Sequence, residues 1–453
     1  MSADSHFRFG YLVQIISLLT LSVTNILLPN VLGALEFAKL NEAYAFVGFS
    51  CVVFNEGVAV LVIRAIRSNP GNVRHARNLA LQASFEHSLL TLPALAALMF
   101  LTAVLKPNHH YAIGDWSIVA TSGIVFGLYV PVVAWLNAML RNQWVAILAI
   151  AQGTLSCVLP LAAVSIGLDV RWSICTSYFF GLVTCAVLLR RIGPIEWRPS
   201  FSLAHRVCVV PALVAVSAPT AMRIAIIWLP VLVLAANGKS VDSAAYKIGM
   251  SFGLGICALV PFHRQTMLSL DDHNGPLKTA QLAAGAIQIA TICAAAMILF
   301  AEPIVEILYR VEFNAIVHYL HVFGFFVVLQ VLTDVLLVRL ISMRADRTLV
   351  TSCGISIAAA AYFSHSNYPL EWLPALTLAI FVISACLLQR RLLGGSLVLR
   401  SAAVGIVCVA AVVFVTGWVG ILGVIASYAV VLMHQTQLRM AMGRSVSQLL
   451  GRT

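Results

Sequence analysis

The chain has 453 residues, 61% of them hydrophobic and 10% charged, where a soluble domain carries about 25% charged residues. With a mean hydropathy of +0.96, that composition excludes a soluble globular protein and describes a polytopic membrane protein. The net charge of +11 does not signal nucleic-acid binding, because the excess is arginine in polar connections and no basic run is interleaved with aromatics.

Fourteen apolar segments are long enough to cross a bilayer as helices: 9–30, 43–64, 79–104, 116–140, 144–166, 172–190, 207–236, 244–263, 279–300, 316–340, 347–364, 372–389, 400–416 and 419–438. The first is followed by many more and lacks a small-x-small cleavage site, so it reads as an anchor and not a removed signal. The last two are separated only by Gly417 and Trp418. If the N-terminus is cytoplasmic, twenty-one basic residues fall on inside segments and six outside: Lys39, Lys106, Arg171, Lys239, Lys247 and Arg310. That alternation places both termini inside. The expected fold class is therefore an all-α polytopic membrane protein of about 14 transmembrane helices. The ten cysteines lie in apolar runs without a CxxC pair and read as small packing residues.

The stretch from Thr24 to Arg67 reads as a transmembrane hairpin. One apolar run ends at Leu28-Pro29, a polar turn follows with Glu36, Lys39 and Glu42, and a second run carries Asn55 and Glu56 in its middle and stops at Arg64. The motif recurs 201 residues later. Leu28-Pro29 is followed by Ala43-Tyr44, and Leu229-Pro230 by Ala245-Tyr246. A repeat of that length is the size of six spans with their loops, which is how many transporters are built.

Four ionisable residues lie within spans: Glu56, Glu86, Arg223 and Asp334. Such residues are costly in a bilayer and mark a partner or a function. Arg223 stands near the centre of the seventh span, one turn after Pro219 and between Pro211 and Pro230. One reading makes it half of a buried ion pair with Asp334 or Glu56; the other makes it a cation that meets an anionic substrate. Asp334 follows Gln330 by one turn. Glu86 is nearer the inner end of its span and reads as reaching the headgroups. Arg64, Arg141, Arg264 and Arg339 end spans on the cytoplasmic side. Arg141 and Arg264 close spans that contain Pro131 and Pro261 and suit an inward-open vestibule, where the guanidinium fork grips phosphate oxygens. His318 and His321, and the pair His109-His110, lack a carboxylate cluster beside them in sequence, so no metal site is expected. No nucleophile-and-base arrangement, Walker loop or glycine-rich fingerprint is present. Neither catalysis nor an ATP-driven pump is expected, and no cofactor is called for.

The order of features over residues 10–67 resembles one family. A span ends in Leu-Pro, a Leu32-Gly33 turn and Glu36-Phe37 follow, and an Ala-Tyr start leads into a span ending in Val62-Ile63-Arg64. This looks like the bacterial polysaccharide-transport, oligosaccharide-lipid (O-antigen-type) flippase family of the multidrug/oligosaccharidyl-lipid/polysaccharide exporter (MOP) superfamily. The resemblance implies two six-helix lobes, at 1–200 and 201–395, around a central cavity, with an appended helix pair at 396–453. It implies alternating-access transfer of a polyprenyl-pyrophosphate-linked oligosaccharide to the outer leaflet of the bacterial inner membrane. Membrane lipids and other polysaccharide-assembly proteins are the expected partners, nucleic acid is not, and H+ or Na+ is the coupling ion to test. The transport residues expected are Arg223, Asp334, Glu56, Asn55, Arg141, Arg264 and Arg64. One arginine with three carboxylates departs from a purely cationic cavity, which keeps a cation-coupled small-molecule or drug antiporter of the same superfamily as the alternative. A membrane glycan polymerase or ligase ranks last, because no large outside loop is present to hold an acceptor.

Overall fold

The computed structural model describes residues 3–49, 117–118, 120–122, 124–125, 142–192, 203–260, 276–366, 369–389 and 396–414. Every regular element among them is helical. In chain order these are α1 (Ala3–Val47), α2 (Asn142–Ser165), α3 (Trp172–Ile192), α4 (Leu203–Ala236), α5 (Ser240–Leu259), α6 (Pro276–Leu299), α7 (Ala301–Leu308), α8 (Ala315–Ser342), α9 (Asp346–His365), α10 (Leu373–Leu388) and α11 (Ser396–Phe414). Nine of the expected spans coincide with helices α2 to α6 and α8 to α11. The spans expected at 79–104 and 419–438 lie outside the described residues, as do most of 43–64 and 116–140. Among the described residues, four stretches are long and apolar enough to cross a bilayer by composition alone, in α4, α6, α8 and α10.

The chain divides by its own packing into two compact units: Leu19–Ala244, and Ala245–Thr453 with Met1–Leu18. In the first, α1 is not one straight rod. Gly33 takes φ 77° and ψ 167°, a region open in practice to glycine alone. Thr24 before it lies beside Cys157, and Tyr44 after it lies beside Ser156. Twenty residues of unbroken helix would put those two positions about 30 Å apart, so the chain must reverse at Gly33 for both to reach one turn of α2. The reversal thus falls earlier than the polar turn expected around Glu36 to Glu42. Those residues are already helical because Ala34, Phe37, Ala38 and Asn41 repeat at i, i+3, i+4 and i+7 and are all buried, the spacing of one helix face. Glu36 and Lys39 pair at 2.6 Å on the exposed side.

The other helix ends follow simpler rules. At the end of α4, Lys239 N–H donates to the Leu234 carbonyl and Gly238 N–H to that of Ala235, a Schellman cap with Gly238 at φ 73°. The same two bonds close α2 at Gly167 and α8 at Arg344. In the loop between α2 and α3, the Arg171 guanidinium grips the Asp169 carboxylate and holds its pKa below the ordinary value. Large apolar side chains stay exposed along α2 and α3, among them Ile150, Val158, Phe179 and Val183, as suits helix faces in lipid.

In the second unit, α8 is the most buried of the long apolar helices. It packs against α6, α10 and α11. The approach is close because Gly324 of α8 sits against Ile298 and Val409, and Gly405 of α11 against Thr291 and Val328. Small residues at such crossings let helices gain dispersion contact where lipid offers no hydrophobic drive. The last described helix, α11, buries Ala402, Cys408 and Val409.

Candidate functional site

Among the described residues, polar side chains gather in two places. In the first unit, α2 and α3 meet through Gln152, whose Nε2 donates to Ser177 Oγ at 2.7 Å. Ser156 Oγ donates to the Gln152 carbonyl at 2.8 Å and lies 3.3 Å from Ser177 Oγ. The Tyr44 phenol joins at Ser156. Beside it, Tyr44 stacks on Trp228 of α4, with ring centroids 6.4 Å apart and planes at 19°. Trp228 fits there because Gly48 has no side chain: a Cβ at that position would stand 3.1 Å from the indole. Tyr44, Gln152 and Trp228 are all half-buried.

Arg223 lies on α4, half-buried, five residues before Trp228 and one turn after the buried Pro219. Ser217 and Thr220, each 3% exposed, precede it at three-residue steps and extend a polar stripe along the helix. Every other described basic residue of this unit stands at a helix end, in a turn or on the short amphipathic stretch after Gly33.

In the second unit, Gln330 Nε2 donates to Asp334 Oδ2 at 3.1 Å on α8. Asp334 is the one carboxylate in the interior of a long apolar helix among the described residues. Sequence reasoning missed a second charge here. Lys247 was counted with the outside loops, yet it sits eight residues into α5 and is only 9% exposed. The available signal was its position three residues inside the apolar run that begins at Ala244. The two charges are not partners. Tyr246 meets Tyr319 and Phe323 edge-on, with centroids 5.6 and 5.3 Å away, Gly253 faces Phe326 and Val327, and Cys257 Sγ reaches the Val327 carbonyl at 3.8 Å. α5 and α8 therefore run parallel. Asp334 lies eleven to fifteen residues beyond the level of Lys247, about 16–22 Å along the axis.

Of the residues expected to carry transport, Asn55, Glu56, Arg64, Arg141 and Arg264 lie outside the described residues, as does Glu86. Arg339 falls in the last turn of α8. His318 Nε2 lies 3.2 Å from Glu371 Oε1. No cluster of three metal-ligating side chains occurs among the described residues. The Tyr44–Ser156–Ser177–Gln152 cluster was not foreseen, because its members are spread over 134 residues of chain and only the motif tyrosine carried a sequence signal.

No protein-family profile and no curated protein matches the chain by sequence. Solved structures do match over most of its length. The MATE multidrug transporter DinF-BH, in a ligand complex, aligns with 86% of this chain and 95% of its own, at a TM-score of 0.52 and 16% identity. The Vibrio cholerae MATE transporter VcmN in its bent form aligns with 89% and 98%, at 0.51 and 14%. A MOP superfamily transporter from Pyrococcus furiosus, whose binding pocket has a reverse polarity suggesting a different function, aligns with 91% and 96%, at 0.51 and 12%. The chain thus has the all-helical, multi-pass membrane fold of MATE transporters in the MOP superfamily. At these identities the likeness concerns the fold.

Proposed function

We propose that this chain is an alternating-access transporter of the MOP superfamily that exports small organic molecules in exchange for a cation, with no covalent chemistry. The observation that carries this reading is the match along most of the chain to the fold of multidrug transporters. Fold alone does not name a substrate, so the site must add to it. Tyr44 and Trp228 present a half-buried aromatic pair, the kind of surface on which flat organic molecules and cations rest. Asp334, in the interior of a long apolar helix, is a carboxylate suited to H+ or Na+ coupling. We place the protein in a bacterial inner membrane with both termini cytoplasmic and keep the lobe boundaries at 200 and 395, with 396–453 appended, as part of this proposal.

The flippase reading stays second because of one observation. Arg223, with Ser217 and Thr220 on its approach, offers a cation and hydroxyls of the kind that bind phosphate. Arg64, Arg141 and Arg264 belong to the same reading, and Asn55 and Glu56 to either.

Efflux of a fluorescent organic cation from inverted vesicles, driven by an imposed H+ or Na+ gradient, separates the two. The antiporter reading expects efflux that Asp334→Asn lowers at least tenfold at matched expression and that Arg223→Ala largely keeps. Loss of surface glycan with accumulated lipid-linked repeat units on gene deletion, and no dye efflux, would replace it with the flippase reading. An Arg223→Ala, Asp334→Ala double variant that regains expression lost in both singles would make these residues a structural pair.

A further inference from the structure

The cluster around Gln152 has an uneven hydrogen-bond ledger. The Ser156 hydroxyl hydrogen goes to the Gln152 carbonyl. The 3.3 Å contact between Ser177 and Ser156 must then use the Ser177 hydrogen. Gln152 Nε2 serves Ser177. Both serine hydroxyl hydrogens are committed, while Gln152 Oε1 is buried and meets no partner among the described residues. A buried acceptor in that condition costs about 1–3 kcal/mol. What this corner lacks is a donor.

The acceptor stands beside a flat surface. Tyr44 belongs both to the cluster and to the stack with Trp228. Tyr44, Gln152 and Trp228 are each half-buried. A ligand that lays a ring on the aromatic pair and turns an N–H toward Gln152 satisfies both features at once. A ring of the same size and charge with every nitrogen alkylated satisfies only the first.

Resting on the antiporter reading, we infer that Gln152, next to the Tyr44–Trp228 stack, is a specificity-determining residue that selects flat aromatic amines carrying an N–H donor over their fully N-alkylated analogues. Such selection acts on binding, because the hydrogen bond is made in the bound state and replaces an unsatisfied one.

The test uses two cationic xanthene dyes of similar size in inverted vesicles holding the full chain. The ethyl ester of N,N′-diethylrhodamine has N–H groups and tetramethylrhodamine methyl ester has none. The wild type should export the diethyl dye with a KM about fivefold lower, the yield of one hydrogen bond of ordinary net strength. Gln152→Leu should raise the diethyl dye's KM to that of the tetramethyl dye, so that the fivefold ratio between the two dyes falls to about one. Gln152→Glu keeps an acceptor and should keep the preference, which gives a second reading if the leucine variant does not accumulate. Equal KM values for the two dyes in the wild type, an equal loss for both in Gln152→Leu, or loss of the preference in Gln152→Glu overturns the inference alone. Failure to export either dye overturns the antiporter reading and this inference with it.

Discussion

The two Leu-Pro…Ala-Tyr segments begin from the same local signal and end in different surroundings. In the first, Pro29 is followed four residues later by Gly33, the chain reverses there, and Tyr44 emerges half-buried, beside Ser156 and stacked on Trp228. In the second, Pro230 is followed eight residues later by Gly238 in a Schellman cap, and Tyr246 emerges fully buried between Tyr319 and Phe323. One tyrosine is wired into a polar cluster; the other is a packing core. The difference teaches that the motif sets a helix–reversal–helix geometry, while the neighbours brought by distant helices decide whether its tyrosine serves binding or stability.

The comparison breaks most visibly at Tyr246. Removing its ring leaves a cavity among Tyr319 and Phe323, so Tyr246→Ala should cost about 3–5 kcal/mol. The expected readout is loss of monodisperse protein on gel filtration in detergent. A variant with wild-type melting would deny the second segment its packing role. Next comes Gly249, where a Cβ would stand 2.9 Å from Tyr319 Cβ, an atom fixed to the backbone. Gly249→Ala should cost about 1–3 kcal/mol through overpacking, seen as a lower melting temperature.

The two glycines sharpen the contrast between the reversals. Neither has a neighbour within 4 Å of a built Cβ, so the penalty is backbone strain alone. Gly33→Ala should cost about 1–3 kcal/mol. Gly238→Ala should cost about 1 kcal/mol, because its conformation is one that other residues occasionally adopt at a C-cap. Equal penalties would show that the two reversals are energetically alike.

Tyr44→Phe should be milder still for stability. Ser156 keeps its bond to the Gln152 carbonyl, so the melting temperature should reflect a loss below about 1 kcal/mol. Its effect should appear instead in the KM for a flat cationic dye. The smallest effect is expected at Asp169. Its folded pKa is depressed, first by the hydrogen bond from Arg171. The stabilisation is therefore present above the unfolded carboxylate value and is lost as pH falls through the lower folded value. The pair is partly exposed, which keeps the contribution small. Asp169→Asn should flatten the acid limb of a melting-temperature profile and leave the neutral limb unchanged.

Helix positions were legible in the chain because bilayer thickness imposes them. A run such as 316–340 has too much apolar length for anything but a span, and the helix found is Ala315–Ser342. Gly238 was equally readable as a helix end, since its cap needs only bonds to residues three and five positions back. Arg223 and Asp334 stood out because a charge in an apolar run is rare, and they do lie inside α4 and α8. The seating of Lys247 was decided by helix packing, which buries every residue of α5 from Ser243 to Met250. The reversal at Gly33 was decided by α2, which receives Thr24 and Tyr44 on one turn. The meeting of Tyr44 with Gln152, Ser156 and Ser177 was decided by three helices converging. Apolar length and charge are local properties that a chain displays residue by residue. Which polar groups share a hydrogen bond depends on contacts between segments more than a hundred residues apart, and those exist only once the helices have packed.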